Sequence, residues 1–317
     1  MQSSSNVPND GYELIDFGQG RKLESFGGVV VDRPCTVANA SSALPEAWKS
    51  AELIYKNDDA KPGEWIAADS TARNGGSLAS VTSSWPVVLP GLRLMAKPQI
   101  TGQLGLFPEH WQQWPWLQQQ LHRWERLQTR HASTEHAPRV LHLFAYTGAS
   151  TLALARMRAE VTHVDAMRSA VEWARENSRA SDMQAYPIRW IVDDARKYVE
   201  REQKRQKRYE LILLDPPSYG HGADGRAWSI QRDLEPLLRS CASLVSADGI
   251  GMVLTGHSPD LDLPGLRRAL VDSKEGTHIP GWERKPVVLR DRSGRSLPCG
   301  YVARFLTESF SSALGQQ

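Results

Sequence analysis

Leu211-Ile212-Leu213-Leu214-Asp215-Pro216-Pro217-Ser218-Tyr219-Gly220 is the stretch on which the reading of this 317-residue chain turns. Four consecutive apolar residues mark a strand buried on both faces, which is the pattern of a parallel sheet rather than of a half-exposed antiparallel one. The strand stops at an acid followed by two prolines, which fix φ and remove two backbone donors. Asp-Pro and Pro-Pro are also ordinary turn punctuation. What lifts the stretch above punctuation is its cluster of acceptors, Asp215 and the proline carbonyls, beside the Tyr219 ring. Such a cluster suits a flat ring bearing N–H donors, a nucleobase above all.

Around this strand the chain alternates. Val140–Phe144, Val161–Asp165, Ile188–Val192, Leu211–Asp215 and Gly251–Leu254 read as strands. Helices read between them at Ala149–Met157, Ser169–Arg179, about Ala195 to Arg208, and Leu234–Val245. This rhythm predicts a parallel sheet with helices on both faces. Two further runs, Val287–Leu289 and Tyr301–Leu306, flank the turn cluster Asp291–Arg295 and predict a C-terminal hairpin. Upstream, residues 1–10 read as disordered and 11–97 as a small β-rich N-terminal domain. Residues 98–138 read as a connecting loop and a Trp-lined helix, with a polar linker over 129–138, and 139–317 as the α/β domain. Pro115 sits where the helix should start, and Leu117, Leu121 and Trp124 recur at helical spacing as a core stripe.

Composition excludes several classes. Hydrophobic content of 40%, charged content of 23% and a net charge of +2 describe a soluble globular chain without a general polyanion signal. Cys35, Cys241 and Cys299 are too few and too scattered for a disulfide framework or a metal site, so no metal is expected and a reducing cytoplasm is the simplest home. Residues 1–10 lack the apolar core of a signal peptide, and no apolar run approaches the ~20 residues that cross a bilayer.

In a doubly wound sheet, ligands sit outside the carboxyl ends of the strands. The first strand here leads into Phe144-Ala145-Tyr146-Thr147-Gly148-Ala149-Ser150, a small-residue loop opening a helix. A single glycine is not the three-glycine dinucleotide fingerprint; a carboxylate at the helix N-terminus fits better than a pyrophosphate. Asp165 ends the second strand, where an acid can accept from both ribose hydroxyls. Asp193-Asp194-Ala195 ends the third, where an acid can accept from an adenine amino group; Asp194 is favoured there and Asp193 is close behind. Each acid could instead be a helix cap, a reading that prevails for Asp193 taken alone. Acids ending three strands together favour a nucleoside.

These motifs, in this order, resemble the class I S-adenosylmethionine-dependent methyltransferases. More narrowly, from about Ile100 to Phe305 the chain is similar to the bacterial family containing the large-subunit ribosomal RNA methyltransferases of cytosine C5 and guanine N7. The resemblance implies a Rossmann-like α/β fold with a mostly parallel seven-stranded sheet and a C-terminal hairpin. It implies S-adenosylmethionine as cofactor, held by Phe144, Ala145, Tyr146, Thr147, Gly148, Ser150, Asp165, Asp193, Asp194, Ala195 and Asp215. It also implies RNA, with ribosomal RNA favoured, as substrate, the acceptor base meeting Asp215, Pro216, Pro217, Tyr219 and, more weakly, His257.

Two departures stand out. Residues 1–97 do not look like the RNA-binding PUA module often fused to the cytosine enzymes. Methylation at C5 also requires a covalent thiolate adduct at ring C6. That family's cysteine would follow the fifth strand, where this chain reads Leu254-Thr255-Gly256-His257-Ser258. A nitrogen acceptor is therefore favoured over C5. The alternatives are methylation of a small molecule or protein side chain on the same scaffold, and an RNA- or cofactor-binding protein without turnover. An NAD-dependent oxidoreductase is disfavoured by the missing glycines. The basic run Arg196–Arg208 reads as a solvated helix face, while Arg290, Arg292, Arg295 and Arg304 are expected nearer the active-site end.

Overall fold

A computed structural model describes residues 11–58, 61–68, 83–131, 137–221, 227–257, 264–265 and 281–312. The segment expected to be disordered, 1–10, and half of the expected linker, 132–136, lie outside them; 129–131 continue a helix. The chain divides into two compact units, Met1–Glu109 with Val288–Pro298, and His110–Val287 with Cys299–Gln317.

In the first unit, β1 (Tyr12–Gly18), β2 (Arg21–Phe26), β3 (Val29–Pro34), β4 (Leu53–Asp58) and β5 (Lys61–Ala67) form one sheet in sequence order. Tight turns make the β1–β2–β3 and β4–β5 pairs antiparallel, whereas β3 and β4 pair in parallel across a crossover containing a 3-10 turn at Pro45–Ser50. A separate hairpin joins β6 (Trp85–Leu89) and β7 (Leu92–Ala96). Leu23, Phe26, Val31, Val87 and Leu94 are fully buried. Two acids share that burial. Glu24 receives Arg33 at 2.6 Å, Lys22 at 3.0 Å and the Tyr12 hydroxyl at 2.9 Å. Asp16 receives Ser42, Trp48 and the backbone N–H groups of Phe17, Ala43 and Leu44, with Arg295 as its cationic partner.

The second unit carries the α/β sheet. Its strands are β8 (Arg139–Leu143), β9 (Glu160–Asp165), β10 (Ile188–Val192), β11 (Leu211–Leu214), β14 (Gly251–Gly256), β15 (Gly281–Arg290) and β16 (Ser296–Leu306), in the order β10-β9-β8-β11-β14-β16-β15. The first five run parallel and β16 antiparallel to β14. All four β11 residues are buried, as their unbroken apolar run requires. A ribbon of β12 (Tyr219–His221) and β13 (Ala227–Ser229) follows β11.

The helices are α1 (Trp114–His131), α2 (Ala149–Arg156), α3 (Arg168–Ala180), α4 (Ala195–Lys204), α5 (Ile230–Ala242) and α6 (Glu308–Ser312). Leu117, Leu121 and Trp124 form the buried stripe of α1, and the Trp124 indole N–H donates to the Asp248 carbonyl at 2.9 Å. The basic helix ends earlier than its composition suggests, because Gln206 turns into a left-handed conformation (φ 54°). Conversely, α5 begins before Leu234 and carries Pro236 inside it. Asp233 reaches back to the Ser229 N–H at 2.9 Å and secures the earlier start. No described helix is long and apolar enough to cross a membrane.

From β8 the chain moves outward to β9 and β10, then returns to β11 on the other side of β8. The switch point therefore lies between β8 and β11, and their carboxyl ends are where a ligand crevice forms.

Candidate active site

The loop leaving β8 is held in an uncommon conformation. Phe144 (φ 55°), Tyr146 (φ 48°) and Gly148 (φ 80°) all adopt left-handed backbone. For non-glycine residues that costs on the order of 1–3 kcal/mol each, so surrounding contacts must enforce it. They do. The Phe144 ring packs on Trp228 at 4.9 Å, the Tyr146 N–H donates to Asp165 Oδ2 at 2.8 Å, and the Thr147 carbonyl accepts from Asn177 Nδ2 at 2.8 Å. At Gly148 a Cβ would lie 2.8 Å from that of Ala174, so the glycine is required by the packing of the loop against α3. Gly148 is also the N-cap of α2, and no side chain caps that end. Ala145 is buried, and Ser150 in the first turn accepts the Trp114 indole N–H at 3.1 Å.

Asp165 ends β9 and takes two backbone donors, Tyr146 on one oxygen and Met167 on the other. Burial holds its carboxyl above the ordinary range, and the N–H groups of Met167 and Tyr146 offset only part of that. After β10 the two neighbouring acids differ. The cap weighed for Asp193 falls on Asp194, which accepts the Arg196 and Lys197 N–H groups and chelates the Arg196 guanidinium. Burial raises the Asp194 pKa, but Arg196 more than compensates and holds it low. Asp193 accepts the Asp194 N–H at 2.9 Å and pairs with Arg201. Ala195 is buried at the start of α4. The basic run of α4 is consumed in pairs of this kind, with Lys204 on Glu200 and Arg205 on Glu202.

At the end of β11, Asp215 Oδ1 accepts the Thr255 hydroxyl at 2.5 Å, and Oδ2 lies 3.4 Å from His110 Nδ1. Pro216 is buried. The Pro217 carbonyl, expected to face an incoming base, is instead occupied by the Trp228 indole N–H at 2.7 Å. The Ser218 carbonyl accepts the Ile230 N–H. These bonds and the β12–β13 ribbon pin the backbone of Tyr219, while its side chain stays 72% exposed. His257, two residues beyond Thr255, stacks on His110 at 5.9 Å between centroids and 27° between planes.

The arginines expected at this end are otherwise engaged. Arg292 pairs with Glu13, Arg295 with Asp16 and Asp291, and Arg290 reaches the Gly294 carbonyl. Arg304 is buried against Glu283, Gln113 and the Trp116 ring. Cys241 is fully buried and its thiol is pushed far above the ordinary range by desolvation, so it is no nucleophile.

Some polar groups of this end carried no recognisable sequence pattern. His110 comes from the short helix Pro108–Trp111, far from Asp215 in the chain. His142 and His163 face each other across β8 and β9, with the Thr151 hydroxyl between their Nδ1 atoms at 2.8 and 2.9 Å. The hydroxyl has one proton to give, so at least one of the two imidazoles carries a proton on Nδ1. Burial pushes the His142 pKa down to about 4 despite the pull of Asp215, and burial likewise holds His163 well below its usual value. A cavity of about 30 Å³ beside Asp215, large enough for water, is lined by His110, Gln113, His142, Ser150 and Thr255 among others. A larger one of about 510 Å³, bordered by Arg139, Glu160 and Ile188, lies at the amino ends of β8–β10. That is the end of a parallel sheet away from its ligand crevice, so position outweighs volume here.

A sheet of this order, with acids at the carboxyl ends of β9, β10 and β11, is the architecture of a class I methyltransferase. Across 96% of its length the chain is similar to the crystal structure of the SAM-dependent methyltransferase from Agrobacterium tumefaciens, with 31% identity, 92% of that chain covered and a TM-score of 0.80. The chain belongs to the S-adenosylmethionine-dependent methyltransferases. The structure of SMU.776 in complex with SAH shares the fold at 14% identity, with a TM-score of 0.65 over 95% of this chain and 76% of that one.

A family model described as "Conserved hypothetical protein 95" matches residues 125–235. The Ribosomal RNA large subunit methyltransferase K/L of Syntrophotalea carbinolica is 35% identical over 112 residues, which is 35% of this chain and 15% of the relative. The protein of the same name from Methylococcus capsulatus is 31% identical over 150 residues, 46% of this chain and 20% of the relative. The chain thus spans a fifth or less of the length of these two curated relatives.

The residues present fit S-adenosylmethionine. An α2 N-terminus without a side-chain cap suits its carboxylate, and Asp165 ends the strand beside it, where an acid suits ribose hydroxyls.

Proposed function

We propose that this methyltransferase modifies a nucleobase nitrogen in RNA, ribosomal RNA being the favoured substrate and the cytoplasm its compartment. The observation that carries the reading is the pairing of the Asp215 carboxylate with an exposed Tyr219 ring on a pinned backbone four residues later. The names of the curated relatives support the RNA class.

S-adenosylmethionine, when bound, supplies an electrophilic sulfonium methyl group. Asp165 would orient the ribose, the Phe144–Ser150 loop and the α2 N-terminus would hold the carboxylate, and Asp193 and Ala195 would border the adenine. On the acceptor side, Asp215 accepts an N–H of the base and turns the nitrogen lone pair towards the methyl group. Thr255 fixes the rotamer of Asp215, Pro216 stiffens the turn, and Tyr219 stacks on the base. His257 takes the proton released when the nitrogen has gained its methyl group. Holding the two reactants in line can remove about 7–11 kcal/mol of barrier, which a nitrogen acceptor needs more than it needs chemical activation. The buried, protonated Cys241 gives no support to a covalent route at cytosine C5.

Mass spectrometry of ribosomal RNA nucleosides, from cells with and without the gene, tests the substrate class: one methylated nucleoside should be lost with the gene. Unchanged nucleosides would move the reading to a small-molecule or protein acceptor. Calorimetry tests the cofactor side. Asp165→Ala should weaken S-adenosylmethionine binding by about tenfold or more, the equivalent of one charge-assisted hydrogen-bonded contact.

A further inference from the structure

We propose that His110, Asp215 and His257 form a three-ligand site for a divalent ion of the zinc class, and that the ion competes with the methyl acceptor. The three side chains come from separate elements: the short helix Pro108–Trp111, the end of β11 and the end of β14. Each offers one ligand atom, and these atoms all lie within 4.8 Å of one another. The separation of His110 Nδ1 from Asp215 Oδ2 is the telling one. At 3.4 Å it is longer than the about 2.7–2.9 Å of a charge-assisted hydrogen bond. It matches the spacing of two ligands on one tetrahedral zinc, since metal–ligand bonds of about 2.1 Å put adjacent ligands about 3.4 Å apart.

The chemistry agrees with the geometry. Two imidazoles and one carboxylate select zinc, cobalt or nickel over magnesium or calcium, which prefer oxygen-rich sites. Asp215 is already steadied from behind, because Thr255 donates to Oδ1 and leaves Oδ2 towards the histidines. Metal-binding carboxylates characteristically have such an outer partner. His257 is exposed, so an ion can enter and a fourth ligand can come from solvent. An Asp215 oxygen bound to an ion cannot accept an N–H from a base. Occupancy therefore blocks methyl transfer. This second half rests on the acceptor role proposed for Asp215; the binding itself does not.

The test uses the full chain without a histidine tag, stripped with EDTA and titrated with Co²⁺. The visible d–d absorption of low-coordinate cobalt should rise to saturation at one equivalent and be displaced by Zn²⁺. The double variant His110→Ala/His257→Ala should lose the bands while still binding S-adenosylmethionine in calorimetry, which certifies its fold. Thr255→Val should weaken Co²⁺ by about tenfold or more. Absence of saturable cobalt binding, or an affinity unchanged in the double variant, would overturn the site. If Co²⁺ and Zn²⁺ bind as expected but Zn²⁺ leaves methyl transfer untouched, the site stands and the acceptor role of Asp215 fails.

Discussion

Glu24 in the N-terminal unit and Asp215 in the methyltransferase unit are both acids set by a sheet, and their surroundings are opposites. Glu24 has no exposed surface, and Arg33, Lys22 and Tyr12 converge on its two oxygens. Burial pushes its pKa up, and the two cations more than reverse that. Asp215 keeps 23% of its side chain exposed, with one oxygen on a neutral hydroxyl and the other beside an imidazole 3.4 Å away. Full pairing makes an acid a structural member; partial pairing at a strand end leaves it able to act on something else. Charge alone does not separate the two, whereas the completeness of the pairing does.

The comparison breaks most readily at Asp215. Replacing it with alanine should lower methyl transfer by about 10³-fold, roughly 4 kcal/mol of transition-state stabilisation. Stability and S-adenosylmethionine affinity should change little, because the two side chains that lose a partner, Thr255 and His110, are only half-buried. Single-turnover rates with the RNA substrate, alongside calorimetry and urea unfolding, would check this. A fully active variant would place Asp215 in the class of Glu24.

The reverse holds for the N-terminal network. Arg33→Ala should destabilise the protein by about 3–5 kcal/mol, since it strands a buried carboxylate. Urea unfolding should show this as a lower midpoint. A loss below about 1 kcal/mol would mean that water reaches the Glu24 cluster.

His142 and His163 sharpen the contrast, because they lie in the methyltransferase unit yet are built like Glu24. Their pKa values are depressed in the folded state, so the unfolded chain binds protons first as pH falls. Stability should decline as pH drops below about 6.5, and the His142 share of that decline ends as His142 itself titrates near 4. For His142, at about 4 in the folded chain against about 6.5 in the unfolded one, the loss is roughly 3 kcal/mol across that window. Urea midpoints at pH 7, 6, 5 and 4 would register it, and His142→Gln should flatten the profile.

Much of this was legible beforehand and some was not, for physical reasons. The β11 run was readable because a strand buried on both faces must be continuously apolar, Ile188–Val192, an edge strand without a buried residue, from its place in the strand–helix alternation, and the C-terminal hairpin because its turn residues stand between two strand-like runs. Asp165 and Asp215 were readable because strand ends in a parallel sheet are where polarity must begin. Which of Asp193 and Asp194 caps α4 depends on a shift of one residue in the helix start, below the resolution of a pattern. His110 with Asp215, and His142 with Thr151 and His163, are pairings of register and topology that no linear spacing encodes. The burial of Glu24 and Asp16 was equally hidden, since short alternating strands place acids on either face until the sheet order is known.

Tyr219 carries the smallest expected effect and the finest form of the comparison. A ring 72% exposed contributes almost nothing to its own fold, so Tyr219→Ala should shift stability by less than about 0.5 kcal/mol. If the ring stacks on the acceptor base, the same change removes about 1–3 kcal/mol of substrate binding. KM for RNA should then rise by about tenfold or more, with kcat nearly unchanged if stacking is equal in the ground and transition states. Tyr219→Phe should restore KM, because stacking needs the ring and not the hydroxyl. A KM unchanged in Tyr219→Ala would separate the exposed ring from the acceptor and leave Asp215 as the sole contact on that side.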